Sequence, residues 1–395
     1  MSGPVRTGLV LVGARGSVAS TVIHGLEALR SGTPPLGLVT ELPDFSSTPW
    51  VDLADIHAVG WDIAGDSHRT AEDLRRTGVL PADLVELGAS LRDRLELNIA
   101  PGIPEPEDAG IADSSARDRL ELPSVEIIEA LRGDLRSWRE REGFQRMVVV
   151  NLATAERQRE LPPGWDELEA NPLELVVSAP ADFPRSLLYG IAAVAEGLPF
   201  INFTPAMSTD VPAFSGWADR SGVPLLGNDG KTGETLMKSA LAPMFRDRAL
   251  RVLAWEGYNM LGNRDGAALE DPSRKSRKVA NKDGVLQGIL GSEETHSGVS
   301  IDFVPSLHDW KTAMDFIHFE GFLGAKMQLQ FTWQGSDSAL AAPLILDLAR
   351  IALLASERGE SGPLRAAAPF FKNPAGTDEH DLHRQMSEFR AWVRR

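Results

Sequence analysis

The sequence contains no cysteine. That excludes disulfide staples, cysteine-ligated iron–sulfur clusters and thiolate zinc sites, and it fits a reducing compartment. No apolar run approaches the roughly 18 residues of a membrane span, so no membrane partner is expected. The N-terminus, M-S-G-P-V-R-T, leads straight into a strand-like run without the pattern of a signal peptide, and a cytoplasmic location is the expectation. Internal repeats and low-complexity tracts are also missing. Positive charge is scarce: the formal net charge is -16 and the pI is about 5.0. Such a chain is a poor non-specific binder of nucleic acid. Against these absences stand 395 residues, 43% of them hydrophobic and 24% charged, with 36 Gly and 26 Pro spread along the chain. This is an ordinary globular composition with many turns, long enough for two or three domains at roughly 100–200 residues each.

The chain opens on an apolar run, T-G-L-V-L-V-G at 7–13, which reads as a buried parallel strand. G-A-R-G-S-V-A-S follows at 13–20, and helical spacing then continues to Arg30. Strand, glycine turn and helix in this order form a dinucleotide-binding arrangement. Gly13 suits the tight turn, Gly16 suits close approach of a pyrophosphate, and the helix N-terminus attracts its charge. The third glycine of the full fingerprint is replaced by Ala19 and Ser20. A second strand is expected at Leu36–Thr40, ending in Glu41. That acid is placed either to bind an adenosine ribose, which favours NAD over NADP, or to lie in an exposed loop. Further strands are expected at Ile56–Ile63, ending near Asp62, and at Arg146–Leu152, whose exit carries Asn151, Thr154 and Glu156. These three could contact the nicotinamide side, or Thr154 could simply cap a helix. Helical patterns cover 70–97 with a break near Pro81, Val125–Glu142 and Arg185–Leu198, and a Pro-rich loop spans Asn98–Pro106.

Strands are then expected at 200–205 and Val223–Leu226, followed by G-N-D-G-K-T-G-E-T at 227–235 and a helix from about Glu234. This loop departs from a P-loop, because Leu225 stands where the first glycine belongs. At a helix N-terminus it can still hold part of a dinucleotide or a substrate phosphate. From about residue 250 the texture changes. Strand patterns follow one another at Leu250–Gly257, His296–Val304 and Lys326–Trp333, the last alternating as a strand with one buried face. An apolar helix at Ala339–Ser356, a loop P-F-F-K-N-P at 369–374 and a charged terminal helix complete the chain. Within this second region S-R-K-S-R-K-V-A-N-K-D at 273–283 is a burst of cations in an acidic protein. Lys278 and Lys282 are four apart and share one face of a helix. Crowded ammonium groups lower one another's pKa, which suits phosphate binding or a neutral amine base, although a solvated basic helix end has the same pattern.

Taken in order, these segments resemble the myo-inositol-1-phosphate synthase (inositol-3-phosphate synthase) family over nearly the full length, in its shorter bacterial and archaeal forms. G-A-R-G-S-V-A-S resembles the family's nucleotide loop, G-W-D-I at 60–63 its early strand-end signature, and N-L-A-T-A-E-R at 151–157 its Asn/Thr/Glu segment. G-N-D-G-K-T-G-E-T resembles its second glycine loop, usually begun G-D-D, with Asn228 here in place of the first acid. L-G-N-R-D-G at 261–266 resembles its Gly-Asn-x-Asp turn. K-V-A-N-K resembles its paired-lysine helix start. D-W-K-T-A-M-D at 309–315, S-D-S-A-L-A-A-P at 336–343 and F-F-K-N-P at 370–374 complete the set.

The resemblance implies an α/β fold: an NAD-binding Rossmann domain at 1–245, an inserted α+β catalytic and oligomerisation domain at 246–335, and a C-terminal segment at 336–395 returning to the first. It implies a homotetramer, NAD retained through turnover, and conversion of D-glucose 6-phosphate to 1L-myo-inositol 1-phosphate. In that reaction C5 is oxidised, an enolate forms at C6 and closes on the C1 aldehyde, and C5 is reduced again. The enzyme is therefore an isomerase. The implied catalytic residues are Lys278, Lys282, Lys311 and Lys372, with Lys278 and Lys372 near the C5 oxygen and Lys282 and Lys311 near the phosphate and the C1 oxygen. Cofactor contacts are implied for Gly13, Arg15, Gly16, Ser17, Val18, Glu41, Asp62, Asn151, Thr154, Asp229 and Asp337. Substrate contacts are implied for Lys231, Thr235, Asn263, Asp265 and Asp309. A divalent or monovalent cation beside the pyrophosphate belongs to the same pattern, although the sequence has no separate metal-ligand cluster. Trp310 stands where the family often has Ser, and Gly335 and Ser336 stand where longer members have Cys-Glu. A tryptophan in the sugar pocket would point to another hexose phosphate, such as fructose 6-phosphate closing to a five-membered cyclitol phosphate. A plain dehydrogenase or a non-catalytic NAD-binding homologue are the remaining readings.

Overall fold

The computed structural model describes residues 5–154, 156–157, 159–262, 286, 288–291 and 295–395. Six strands are laid down first: β1 (Thr7–Val12), β2 (Ile56–Asp62), β3 (Ile99–Pro101), β4 (Arg146–Asn151), β5 (Phe200–Asn202) and β6 (Pro224–Leu226). Four more form a second sheet: β7 (Arg251–Leu261), β8 (His296–Phe303), β9 (Trp310–Glu320) and β10 (Lys326–Ser336). The long helix Asp337–Glu357 then carries the chain back, and β11 (Gly362–Pro363) adds to the first sheet beside β6. The first sheet is parallel, in the order β11-β6-β5-β4-β1-β2-β3. β1 has β2 on one side and β4 on the other, each starting in register with Thr7. The chain reverses its direction of travel across the sheet between these neighbours. The crevice beyond the carboxyl ends at that point is where open α/β sheets bind ligands.

β1 is buried along its whole length because helices cover both faces. Its alternate residues feed two separate cores. Leu9 and Leu11 pack beneath the helices Ser17–Arg30 and Asp337–Glu357, while Val10 and Val12 pack beneath Ser124–Glu142 and Arg185–Ala195. Helix Asp337–Glu357 is apolar over most of its length, with Asp347 and Arg350 interrupting the run. An 18-residue window of this 21-residue helix has a mean hydropathy of 1.8, enough by length and composition alone to cross a membrane. A helix that is apolar all round is also what a protein core requires, and 78% of that window is buried against the parallel sheet.

The second sheet has the order β10-β9-β7-β8, with β9 antiparallel to both β7 and β10, and β7 parallel to β8. Helix Glu234–Asp247 packs Ala242 and Phe245 against Val252, Trp255 and Ile317 on its inner face. β10 alternates exposed and half-buried residues as its sequence pattern predicts. β9, which opens on the D-W-K-T-A-M-D motif, carries no equally clean alternation and was not expected as a strand.

The expected strand at Leu36–Thr40 does not form. Leu36 is exposed, and Val39–Glu41 is a single 3-10 turn. The amides of Val39 and Thr40 donate to the Asp347 carboxylate at 2.7 and 2.9 Å, so a side chain from the long helix replaces a sheet partner. The place next to β1 goes to Ile56–Asp62, which is longer and pairs over its first six residues. The Pro-rich loop at 98–106 likewise begins as the edge strand β3.

Candidate active site

The crevice is built from the glycine turn upward. Gly13 has φ +85, and a Cβ there would stand 3.2 Å from the Leu152 carbonyl oxygen, so glycine lets β1 and the β4 exit close on each other. The amides of Gly13 and Ala14 both donate to Trp61 O, and that of Gly16 to Gly13 O. Helix Ser17–Arg30 starts with no side-chain cap and no acid in its first turn, leaving its N–H groups available to an anion. Gly13, Gly16, Ser17 and Val18 line a cavity of about 470 Å³, joined by Asp62 and Thr154 from the ends of β2 and β4. Asp309 and Asp337 reach the same cavity from β9 and from the start of the long helix.

Asp62 is the acid at the end of the second strand, where a ribose hydroxyl would be received. Its Oδ2 accepts from the Arg15 amide at 2.7 Å and its Oδ1 from the Ile63 amide at 2.8 Å. Burial raises its pKa while those amides oppose the rise. Arg15 itself turns outward, its guanidinium pairing with Glu96 and Asp113. Glu41 is not brought to the crevice. It pairs with Arg350 about 20 Å along the long helix from Asp337, at roughly 1.5 Å per residue, and lines a different cavity. The reason is the lost strand: without β pairing at 36–40, the residue that ends the second strand is Asp62.

Asn151 is buried and faces protein. Its Nδ2 donates to Asn202 Oδ1 at 3.2 Å, Asn202 Nδ2 donates to Asn228 Oδ1 at 2.8 Å, and Thr209 Oγ1 donates to the same oxygen at 2.7 Å. This amide ladder ties the exits of β4 and β5 to the second glycine loop. It gives Asn228 a role as acceptor of two hydrogen bonds in the loop position that differs from the family pattern. Asn202, which ends β5, and Thr209, in the loop after it, were not singled out in the sequence, because isolated polar residues carry no spacing signal.

The second glycine loop zips to the F-F-K-N-P segment. Asn228 exchanges backbone hydrogen bonds with Asn373, the Lys372 amide donates to Asp229 O at 2.7 Å, and the Lys231 amide donates to Phe370 O at 2.8 Å. Lys372 Nζ donates to Asp229 Oδ1 at 2.7 Å. Asp229 holds a left-handed φ of 63, and Gly230 packs where any Cβ would strike the Phe203 ring. Lys231 turns to the terminal helix, donating to Gln385 Oε1 at 2.8 Å, and burial lowers its pKa to about 7. Thr235 is buried in the first turn of the following helix, its hydroxyl without a hydrogen-bond partner among the described residues. Lys311 Nζ lies 3.8 Å from Asp337 Oδ1, and close to Gly233. It therefore sits between the cofactor crevice and the second loop. Asp309 accepts from the hydroxyls of Ser336 and Ser338 at 2.5 and 2.6 Å, and Ser336 caps the long helix at Ala339. Burial raises the Asp309 pKa against those hydrogen bonds.

Two further groups complete the surroundings. Glu234 and Lys238, both fully buried, form an ion pair of 2.8 Å one turn into the helix after the loop, and Trp255 Nε1 donates to Asp315 Oδ1 beside them. The i,i+4 spacing in E-T-L-M-K was the available signal. Glu156 lines the crevice and accepts from the Ser186 amide at 2.6 Å. Burial, and then Glu105, raise its pKa to about 7. Trp310 does not enter the pocket. It is on the opposite face of β9 from Lys311, and its Nε1 donates to Thr77 O at 2.8 Å. Lys278, Lys282, Asn263 and Asp265 lie outside the described residues.

A family model described as myo-inositol-1-phosphate synthase matches residues 233–338, the segment that carries Lys311, Asp309 and Asp337. Inositol-3-phosphate synthase 1 of Bacteroides thetaiotaomicron is 32% identical over 98% of this chain and 93% of its own length. Inositol-3-phosphate synthase isozyme 1 of Arabidopsis thaliana is 31% identical over 89% of this chain and 75% of its own. Among solved structures, inositol-3-phosphate synthase from Caenorhabditis elegans superposes with a TM-score of 0.84 at 25% identity, covering 99% of this chain and 85% of that one.

Proposed function

We propose, for a chain that belongs to the inositol-3-phosphate synthase family, that it converts D-glucose 6-phosphate to 1L-myo-inositol 1-phosphate. The observation that carries this reading is that two lysines lie against the second glycine loop, Lys372 at Asp229 and Lys311 at Gly233, with Lys311 3.8 Å from Asp337 on the wall of the dinucleotide crevice. The crevice fits NAD: a glycine cradle that a Cβ would fill, a bare helix N-terminus, and an acid at the end of β2. When bound, NAD supplies a two-electron acceptor that returns the same hydride, so the overall reaction is an isomerisation.

The chain's own residues then manage protons and negative charge. Lys372, as the neutral fraction of its amine, takes the C5 hydroxyl proton at Nζ, and the Asp229 carboxylate stabilises the ammonium that results. Lys311 stands ready for the charge that develops on the phosphate or the C1 oxygen during ring closure, and Asp337 orients it. Lys278 and Lys282 are assigned to the same tasks on their motif alone, the first beside C5 and the second beside the phosphate. Thr235 and the amides that open helix Glu234–Asp247 suit the phosphate group, because a helix N-terminus presents donors. A cation beside the pyrophosphate is part of this reading, checked by activity after chelation and in a series of monovalent salts. So is a homotetramer, supported by the partly exposed Tyr258, Met314 and Met327 on the second sheet and checked by sedimentation. Because Trp310 points away from the pocket, glucose 6-phosphate is favoured over fructose 6-phosphate.

The test is incubation with NAD and each hexose phosphate in parallel, following products by phosphorus NMR and cofactor by absorbance. Inositol phosphate from glucose 6-phosphate without net NADH is the expected result. Product from fructose 6-phosphate alone would keep the chemistry and change the substrate. Net NADH would indicate a dehydrogenase, and bound NAD with no product from either sugar would indicate a binding homologue.

A further inference from the structure

Helix Glu234–Asp247 opens with an acid. Glu234, in its first turn, is 1% exposed, and the N-cap, Gly233, supplies no side-chain hydrogen bond. A first-turn carboxylate suits the positive end of a helix, but it draws on the same potential that a bound phosphate would use. Helix Ser17–Arg30, which opens on the cofactor crevice, has no acid in that position.

Lys238 changes the balance at the second helix. It is fully buried one turn further on, and its Nζ lies 2.8 Å from Glu234 Oε1. The pair is held against the second sheet. A Cβ at Gly257 would stand 2.4 Å from Glu234 Oε1 and 3.4 Å from Asp315 Oδ1, so glycine on β7 makes room for both carboxylates. Asp315 also accepts from Trp255 Nε1 at 2.7 Å. Lys311 and Asp315 share one face of β9, because alternate residues of a strand point the same way. A Cβ at Gly233 would lie 4.0 Å from Lys311 Nζ. One face of β9 thus sets Lys311 beside the residue that caps the helix, and Asp315 beside the Glu234 side chain. Buried charges are screened little, so an acid here that lost its cation would act on every charge nearby.

We propose that Lys238 is a positioning residue for substrate binding, given the placement of the phosphate at this helix start. By holding the Glu234 carboxylate in an ion pair, it leaves the helix start and Lys311 positive enough to receive the phosphate dianion. Lys238 does not touch the substrate; it acts through Glu234. Charge rather than shape sets its role. Removing the cation leaves an anion beside the anion site, and removing the anion leaves a cation there.

The test is isothermal titration calorimetry of the full chain with NAD bound, against inorganic phosphate at fixed pH and ionic strength, with thermal unfolding of each variant. Lys238→Met should weaken phosphate binding roughly tenfold, the scale of one uncompensated charge at an effective dielectric of about 20. It should raise KM for glucose 6-phosphate by a similar factor and change kcat little, as loss of uniform binding does. Glu234→Gln should tighten phosphate severalfold, and the double variant should return to within about twofold of the parent. Both single variants break the buried pair and should lower Tm, so a merely structural role would weaken phosphate in both. Opposite shifts in affinity at lowered Tm are the expected signature. Glu234→Gln, which keeps the shape of both side chains, carries the test even where Lys238→Met does not fold. Lys311→Gln locates the anion and should weaken phosphate roughly tenfold. With that loss observed, phosphate affinity that falls or stays unchanged in Glu234→Gln overturns the proposal alone. Phosphate that Lys311→Gln leaves unaffected, or that does not bind the parent up to roughly 10 mM, overturns the placement of the phosphate and the proposal with it.

Discussion

Lys372 Nζ donates to Asp229 Oδ1 at 2.7 Å across 143 residues of sequence, and the Lys372 amide donates to the Asp229 carbonyl oxygen at the same distance. The side-chain pair is thus locked to a backbone pair. Removing Lys372 leaves a buried carboxylate with its cation gone, and breaking such a pair costs roughly 3–5 kcal/mol. Lys372→Ala should lower Tm and reduce kcat on the order of 100-fold or more, the range of a lost proton-transfer group. Asp229→Asn should retain more stability than Lys372→Ala while still lowering kcat. Thermal unfolding and steady-state kinetics on both variants separate the two effects.

Gly13→Ala should empty the crevice of cofactor. Its φ of +85 and the Leu152 carbonyl oxygen 3.2 Å from a new Cβ both oppose a side chain. Left-handed backbone costs an L-residue about 1–2 kcal/mol, so NAD affinity should fall roughly tenfold or more. Cofactor content of the purified variant and its Kd for NAD are the measurements.

Lys231 should impose a pH dependence on stability. Its folded pKa is lowered by burial to about 7 from an ordinary value of 10.5. Below pH 7 both states are charged and the folded state bears the full burial penalty. Between about 7 and 10.5 the folded amine is neutral while the unfolded one still binds a proton, so stability from this group rises with pH in that window. Lys231→Met should therefore stabilise the protein more at pH 6 than at pH 10. Chemical denaturation at both values reads the difference, and an equal effect at each pH would contradict the assignment.

Trp310→Ser should leave catalysis nearly untouched. The indole donates to Thr77 O on the face of β9 away from Lys311. Its loss removes one hydrogen bond, worth about 1 kcal/mol. kcat/KM for glucose 6-phosphate is expected to stay within about twofold of the parent. A large rise or fall in that ratio, or new turnover of fructose 6-phosphate, would place the ring in the sugar pocket after all.

Much of the architecture was legible one segment at a time. The apolar run at Thr7–Val12, its glycine turn and the helix behind it follow from period and turn chemistry among neighbouring residues. So do the helix start at Glu234 and the alternation along β10. The segments carrying Lys311 and Lys372 were singled out by their resemblance to the family's motifs, not by period or spacing. What needed the tertiary structure was every relation between distant segments. Local pattern favoured a strand at Leu36–Thr40, but Asp347 captured those amides, and the acid of the crevice became Asp62 while Glu41 turned to Arg350. Trp310 sits beside Lys311 in sequence, but the pleat of a strand sends neighbours to opposite faces. The zipping of 228–231 to 370–373 brings Asp229 to Lys372, and no local periodicity encodes it. Short-range spacing determines which elements form and which face each buries. Which side chains meet is decided only when the sheet order closes and the long helix returns the end of the chain to its beginning.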